Sequence, residues 1–154
     1  MKAKKLLAIS VIMIMIFALT ACSVTVDDRV EADGFSVGVP KDWYSKYSKN
    51  SNTVTISQEK DDWTKHQIVV TLTDTKQSKD EIQKTFKGMM KHGFEDLGTC
   101  EIGGVECLVV GFLAGEMYAK WYGGNIVDGK EISIQVVNEE DEKYTKAILE
   151  SIEF

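Results

Sequence analysis

Hydrophobic and polar positions alternate with period two over much of the chain. In "GFSVGVP" (34–40), Phe35, Val37 and Val39 alternate with small residues, which predicts a half-buried strand. Pro40 ends it, because proline cannot donate to a central ladder. "NTVTISQ" (52–58) sets Val54 and Ile56 on one side. "EKDDWTK" (59–65) reads as a polar turn, and "HQIVVTLTD" (66–74) sets Ile68, Val70 and Leu72 against Val69 and Thr71. Three successive strands with no helix between them predict antiparallel pairing.

The period then changes. Ser78 and Glu81 stand at capping-box spacing, and Ile82, Phe86, Met89 and Met90 follow at i, i+4, i+7 and i+8. Gly93 sits where a left-handed C-cap belongs, so the spacing predicts a helix over 79–92. Gly103-Gly104 then reads as a two-residue hairpin turn that sets Ile102 opposite Val105, Glu101 opposite Glu106 and Cys100 opposite Cys107. Opposed residues share a face, so Cys100, Ile102, Val105, Cys107 and Val109 form an apolar side and the two glutamates a wet one. Asp128-Gly129 predicts a second hairpin, with Trp121 facing Val136 and Tyr122 facing Gln135. In that register Met117, Ala119, Trp121, Ile132, Ile134 and Val136 form the core face, and Tyr118, Lys120, Tyr122, Ser133 and Gln135 the opposite one. Acidic residues then crowd the start of a closing helix over 140–150, where the helix dipole favours them. The expected order is β-β-β-α-β-β-β-β-α, an α+β domain with a single antiparallel sheet flanked by two helices.

The N-terminus follows a different logic. Lys2, Lys4 and Lys5 precede an uncharged apolar run over 6–21. That run is shorter than the roughly 20 residues of a spanning helix, and small residues follow it, as in a cleaved export peptide. Leu19-Thr20-Ala21-Cys22 resembles the bacterial lipobox, in which cleavage falls just before a lipidated cysteine. The resemblance implies a leader over 1–21, a lipid (a palmitate-type acyl anchor) on Cys22, and a protein held on the outer side of a bacterial cell membrane. Residues 22–33, polar and acidic after the cysteine, read as the lipidated residue and a short tether, leaving 34–154 as the domain.

Composition narrows the partners. Of 18 Lys+Arg, three lie in the leader, leaving 15 against 24 Asp+Glu, a formal charge of −9 for the chain from Cys22 onward. That balance opposes nucleic acid, whose binding rests on basic residues neutralising phosphates. It also opposes a polybasic membrane patch, so lipid rather than charge would hold the bilayer.

A start with Phe35, Val37, Pro40 and Trp43, a long helix, a glycine-turned hairpin, two more strands and a closing "ILESIEF" resemble the PsbP-like fold family over 34–154. The family includes an extrinsic subunit of photosystem II, a Ran-binding nuclear-import factor and many bacterial lipoproteins. The resemblance implies a protein-binding or accessory habit and carries over no catalytic residue.

A search for chemistry yields little. His66 and His92 are the only histidines, and His92 has an ordinary place at a helix C-terminus. No Ser/His/Asp or Cys/His spacing, phosphate loop or calcium loop is present, so the expectation is a non-enzyme with no cofactor and no metal. Gly123-Gly124 read as hairpin or bulge glycines, and acidic pairs such as Asp61-Asp62 as solvated faces. Once Cys22 carries lipid, Cys100 and Cys107 form an even pair outside the reducing cytosol: a disulfide and two buried thiols both fit. Tyr118, Lys120, Tyr122 and Gln135 form a candidate binding face, with coverage by a helix as the competing account. A protein partner is the first functional expectation. A small ligand held near Trp43, Trp63 or Trp121 is the alternative.

Overall fold

The computed structural model describes residues 24–62 and 64–154. The expected leader over 1–21, Cys22 and Trp63 lie outside the described residues. The three period-two runs become strands β2 (Phe35–Pro40), β4 (Thr53–Ser57) and β5 (Gln67–Asp74), and two unexpected strands join them, β1 (Val26–Ala32) and β3 (Tyr44–Ser48). Helix α1 (Lys79–Met89) and a single 3-10 turn (Met90–His92) follow, then β6 (Glu95–Ile102), β7 (Val105–Ala114), β8 (Met117–Val127), β9 (Lys130–Val137) and α2 (Glu142–Glu150). Among the described residues the fold is α+β with two α-helices, as expected.

It does not have a single sheet. Seven strands pair in the order β3-β4-β5-β9-β8-β7-β6, and β1 and β2 form a separate two-stranded ribbon. The expected tether is therefore partly strand: Val30 pairs with Val37 and Ala32 with Phe35. Its acidic residues point outward while Val30 and Ala32 pack on the core. Arg29 secures it, donating from Nε to Ser36 Oγ (2.8 Å) and from Nη2 to the Ser151 carbonyl (3.0 Å). Strand β3 has no hydrophobic alternation because all five of its residues are exposed on a sheet edge.

Helix α1 begins as its sequence demands. Ser78 accepts from the Glu81 N–H and the Glu81 carboxylate accepts from the Ser78 N–H, the reciprocal capping box. Ile82 and Phe86 are its buried residues, and Gly93 closes the following turn at φ 88°. The helix lies on one face of the sheet, where Phe86 meets Trp121 edge-on (centroids 5.4 Å). Gly123 permits that approach: a Cβ there would stand 2.9 Å from both Phe86 and the Ile132 carbonyl. The opposite face carries the main core, in which Val54, Ile56, Ile68, Val70, Ile134 and Val136 meet the β1-β2 ribbon and the buried Ile148 and Leu149 of α2.

The first hairpin keeps the predicted register, with Cys100 opposite Cys107 and Glu101 opposite Glu106. The second does not. Val127 pairs with Lys130 as the Asp128-Gly129 turn requires, but Tyr122 pairs with Ile134 and Trp121 with Gln135. A bulge between Gly123 and Ile126 inserts one residue. Gly124 supplies a φ of +79°, and Asn125 pins the bulge by donating from Nδ2 to the Glu106 carbonyl (2.7 Å). A one-residue slip moves every earlier side chain to the other face. Tyr122 thus joins the core, and Trp121 turns toward α1 and donates to Ser133 Oγ (2.8 Å).

Candidate functional site

The four residues expected to share a binding face are separated. The bulge leaves Tyr118, Lys120 and Tyr122 on one side of β8 and sends Gln135 to the other. Tyr122 is only 6% exposed, and burial pushes its hydroxyl pKa up. Tyr118 is partly open, with its hydroxyl 3.4 Å from Glu95 Oε2, to which it donates. Lys120 turns inward and pairs with Glu139.

That pair belongs to a buried polar cluster where β5, β8 and β9 meet the start of α2. His66 Nε2 lies 2.9 Å from Thr145 Oγ1. Trp43 covers the imidazole edge-on (5.1 Å, 74°) and stacks on Tyr144 (5.1 Å, 23°). Burial lowers the His66 pKa, against the pull of Glu139, Glu140 and Asp141, so the ring is held neutral. For Glu139, burial pushes upward, but the bond from Lys120, the Thr145 hydroxyl and the Lys120 charge outweigh it and keep the carboxyl below its ordinary value. Its Oε1 is buried without a hydrogen-bond partner. His66 is 1% exposed, with Trp43 against its ring and Thr145 on its Nε2, so the imidazole is closed to solvent. The cluster braces two layers of the fold. Among the described residues, no group of three or more His, Cys, Asp or Glu is arranged to hold a metal ion.

The accessible chemistry lies along β3. A groove of about 560 Å³ runs beside this edge, lined by Tyr44, Lys46, Thr55, Ser57 and Gln67 and flanked by Lys60 and Asp61 of the β4–β5 loop. Cross-strand register explains the lining. Tyr44 lies opposite Ser57 and Lys46 opposite Thr55, so these four share one face. Ser57 lies opposite Gln67, which adds the third strand. Tyr44 is 49% exposed. The loop is held by a backbone bond from Gln58 to His66 (3.1 Å) and by Asp62, whose carboxylate accepts from the Thr64 hydroxyl and N–H. Sequence reasoning missed this groove. Its signal was Tyr44 and Lys46 in "YSKYS" (44–48), an aromatic and a lysine two residues apart on one strand face with the polar Ser57 and Thr55 opposite them.

Cys100 and Cys107 are both free thiols, the first half-buried and the second fully buried. Burial pushes the Cys107 pKa to about 11, which keeps that sulfur protonated and unreactive.

No protein-family model matches the chain, and no curated protein matches it. Among solved structures, the chain is similar to a protein from Bacteroides thetaiotaomicron whose crystal structure was determined at 1.50 Å resolution, with a TM-score of 0.61 and 14% sequence identity. The likeness covers 84% of this chain and 48% of that one, so this chain spans about half the length of its neighbour. At that identity the two share an α+β fold, and the likeness extends no further.

Proposed function

We propose that this chain is a lipid-anchored, PsbP-like module on the outer side of a bacterial membrane, and that it binds a protein partner along β3. The observation that carries the binding half is the edge itself: five consecutive exposed residues, with Tyr44 49% and Tyr47 36% exposed, beside a groove with hydrogen-bonding walls. An edge strand can accept an added strand from a partner, and alternate side chains then enter neighbouring pockets. Tyrosine gives large contact area at low entropic cost. The lipobox-like Leu19 to Cys22 and the acidic balance of the remaining chain support the location.

Photo-crosslinking in native membranes tests the binding surface. A crosslinker replacing Tyr44 is expected to give one dominant protein adduct, weakened by Lys46→Glu, while one replacing Lys84 on α1 gives none. Equal labelling from both positions would sink the proposal. A second reading, a small-ligand receptor, is favoured by the groove volume, which lies within the roughly 300–1,000 Å³ of small-molecule sites. The groove rather than a tryptophan would carry it, since Trp43 is stacked on Tyr144 and Trp121 is packed on Phe86. Saturable thermal stabilisation by one metabolite of a panel, abolished by Tyr44→Ala, would select it.

A further inference from the structure

The β7–β8 hairpin presents an apolar tip. Leu113 is 72% exposed, Met117 39%, Tyr118 37% and neighbouring Leu97 37%. Leu113 lies opposite Tyr118 on one face of the hairpin, where Tyr118 lies over Gly111 beside Leu97, and Met117 stands on the other face of the same tip. Phe94 and Phe112 back the patch, with ring centroids 4.9 Å apart. Large exposed apolar groups gathered at one corner mark a contact surface.

The topology says what that corner faces. The β1-β2 turn is tied to one end of the large sheet, where the Asp33 N–H donates to Asn52 Oδ1 (3.0 Å) and Lys130 pairs with Asp33. The start of β1 is therefore at the other end, where Val26 pairs with Pro40. Trp43, bonded to the Pro40 carbonyl (3.1 Å), packs there on His66 and Tyr144. Asn138 donates its N–H to the Tyr118 carbonyl at this same end (3.1 Å). Chain entry and apolar tip thus share one end of the molecule. Four residue steps separate Cys22 from Val26, about 14 Å at full extension. A lipid on Cys22 would hold this end against the headgroup layer rather than at the end of a long tether.

We infer that the β7–β8 tip is a second membrane contact: Leu113 and Met117 enter the interfacial layer of the bilayer on which Cys22 is anchored, and Tyr118 sits at headgroup level. It rests on the lipid anchor proposed above. Tyrosine suits that depth, with an apolar body and a polar end. The charge of −9 from Cys22 onward, with Glu95 and Glu116 beside the tip, means that apolar burial and not attraction to anionic lipid makes the contact.

The test uses the processed, full-length protein reconstituted in phosphatidylcholine vesicles containing phospholipids brominated along the acyl chain. Leu113→Trp adds a fluorophore at the tip, and Lys76→Trp adds one at the opposite end. With the wild-type signal subtracted, the added emission of Leu113→Trp is expected to fall at least about twofold on bromination, unchanged at high salt, with Lys76→Trp unaffected. Mass spectrometry of the same sample reads the anchor. An acylated Cys22 with no quenching of Leu113→Trp overturns this inference and leaves the anchor standing. An unacylated Cys22 overturns both. Should native membranes shield Leu113→Trp from aqueous acrylamide while pure-lipid vesicles do not, a protein covers the patch and the bilayer contact is refuted.

Discussion

Lys120 and Glu139 form an ion pair with side chains only 23% and 14% exposed. Removing one member strands the other. Fully buried pairs cost about 3–5 kcal/mol when broken and exposed ones contribute about 0–1 kcal/mol. With most of both side chains covered, Lys120→Met and Glu139→Gln are each expected to cost about 2–3 kcal/mol. The double variant should cost less than the sum, because methionine retains the apolar stem and no charge is left alone. The expected coupling is at least about 1.5 kcal/mol, which a double-mutant cycle by urea denaturation at pH 7 would measure. In calorimetry each single variant should melt about 6–15 °C lower, given roughly 3–5 °C per kcal/mol for a domain of this size. Coupling should persist in 1 M salt, where exposed pairs are screened beyond about 3 Å. Because the folded Glu139 pKa is depressed, its contribution is present above the ordinary carboxylate range and is lost as pH falls through the folded value. Additive single effects within about 0.5 kcal/mol, or coupling that vanishes in salt, would show that the cluster is solvated and that its bracing role is wrong.

Three further outcomes are expected. His66 has a lowered folded pKa, so the unfolded chain takes up its proton first; stability should fall as pH drops below about 6.5, and His66→Gln should flatten that slope between pH 7 and 5 in chemical denaturation. In the native protein at pH 8, a disulfide-exchange reagent should leave Cys107 unmodified and react with it only after denaturation; an intact mass two hydrogens short would instead establish a Cys100–Cys107 disulfide. Gly38→Ala should destabilise by about 1–3 kcal/mol, because its Cβ would stand 2.9 Å from Val26 and 3.0 Å from Ser151; an unchanged melting temperature would mean that the β1-β2 ribbon is not docked.

Local signals in the sequence were read where they determine structure by themselves. Ser78 and Glu81 cap α1, Gly93 ends the 3-10 turn that follows it, and Gly103-Gly104 sets the Cys100–Cys107 register, because each acts within a few residues. The second hairpin shows the limit. Its turn was right, but its register depends on Asn125 reaching the carbonyl of Glu106, a partner 19 residues away. The glycines at 123 and 124 were read as hairpin or bulge residues, and treating them as a bulge would have placed Tyr122 in the core. Strand β1 was illegible for a related reason: an irregularity between Val26 and Asp28 breaks its period, and the half-buried Val26, Val30 and Ala32 stand among Asp27, Asp28, Arg29 and Glu31. The groove beside β3 was missed because an exposed edge lacks the apolar alternation by which strands are recognised.

The last residues of the chain reach back to its second strand. Ser36 and Glu153 exchange two backbone bonds, 2.8 and 3.0 Å, and Arg29 pairs with Glu153 at 2.9 Å. The described chain is in effect a loop whose clasp is its own tail. Removing residues 152–154 would therefore undo the fastening as well as the apolar weight of Ile152 and Phe154.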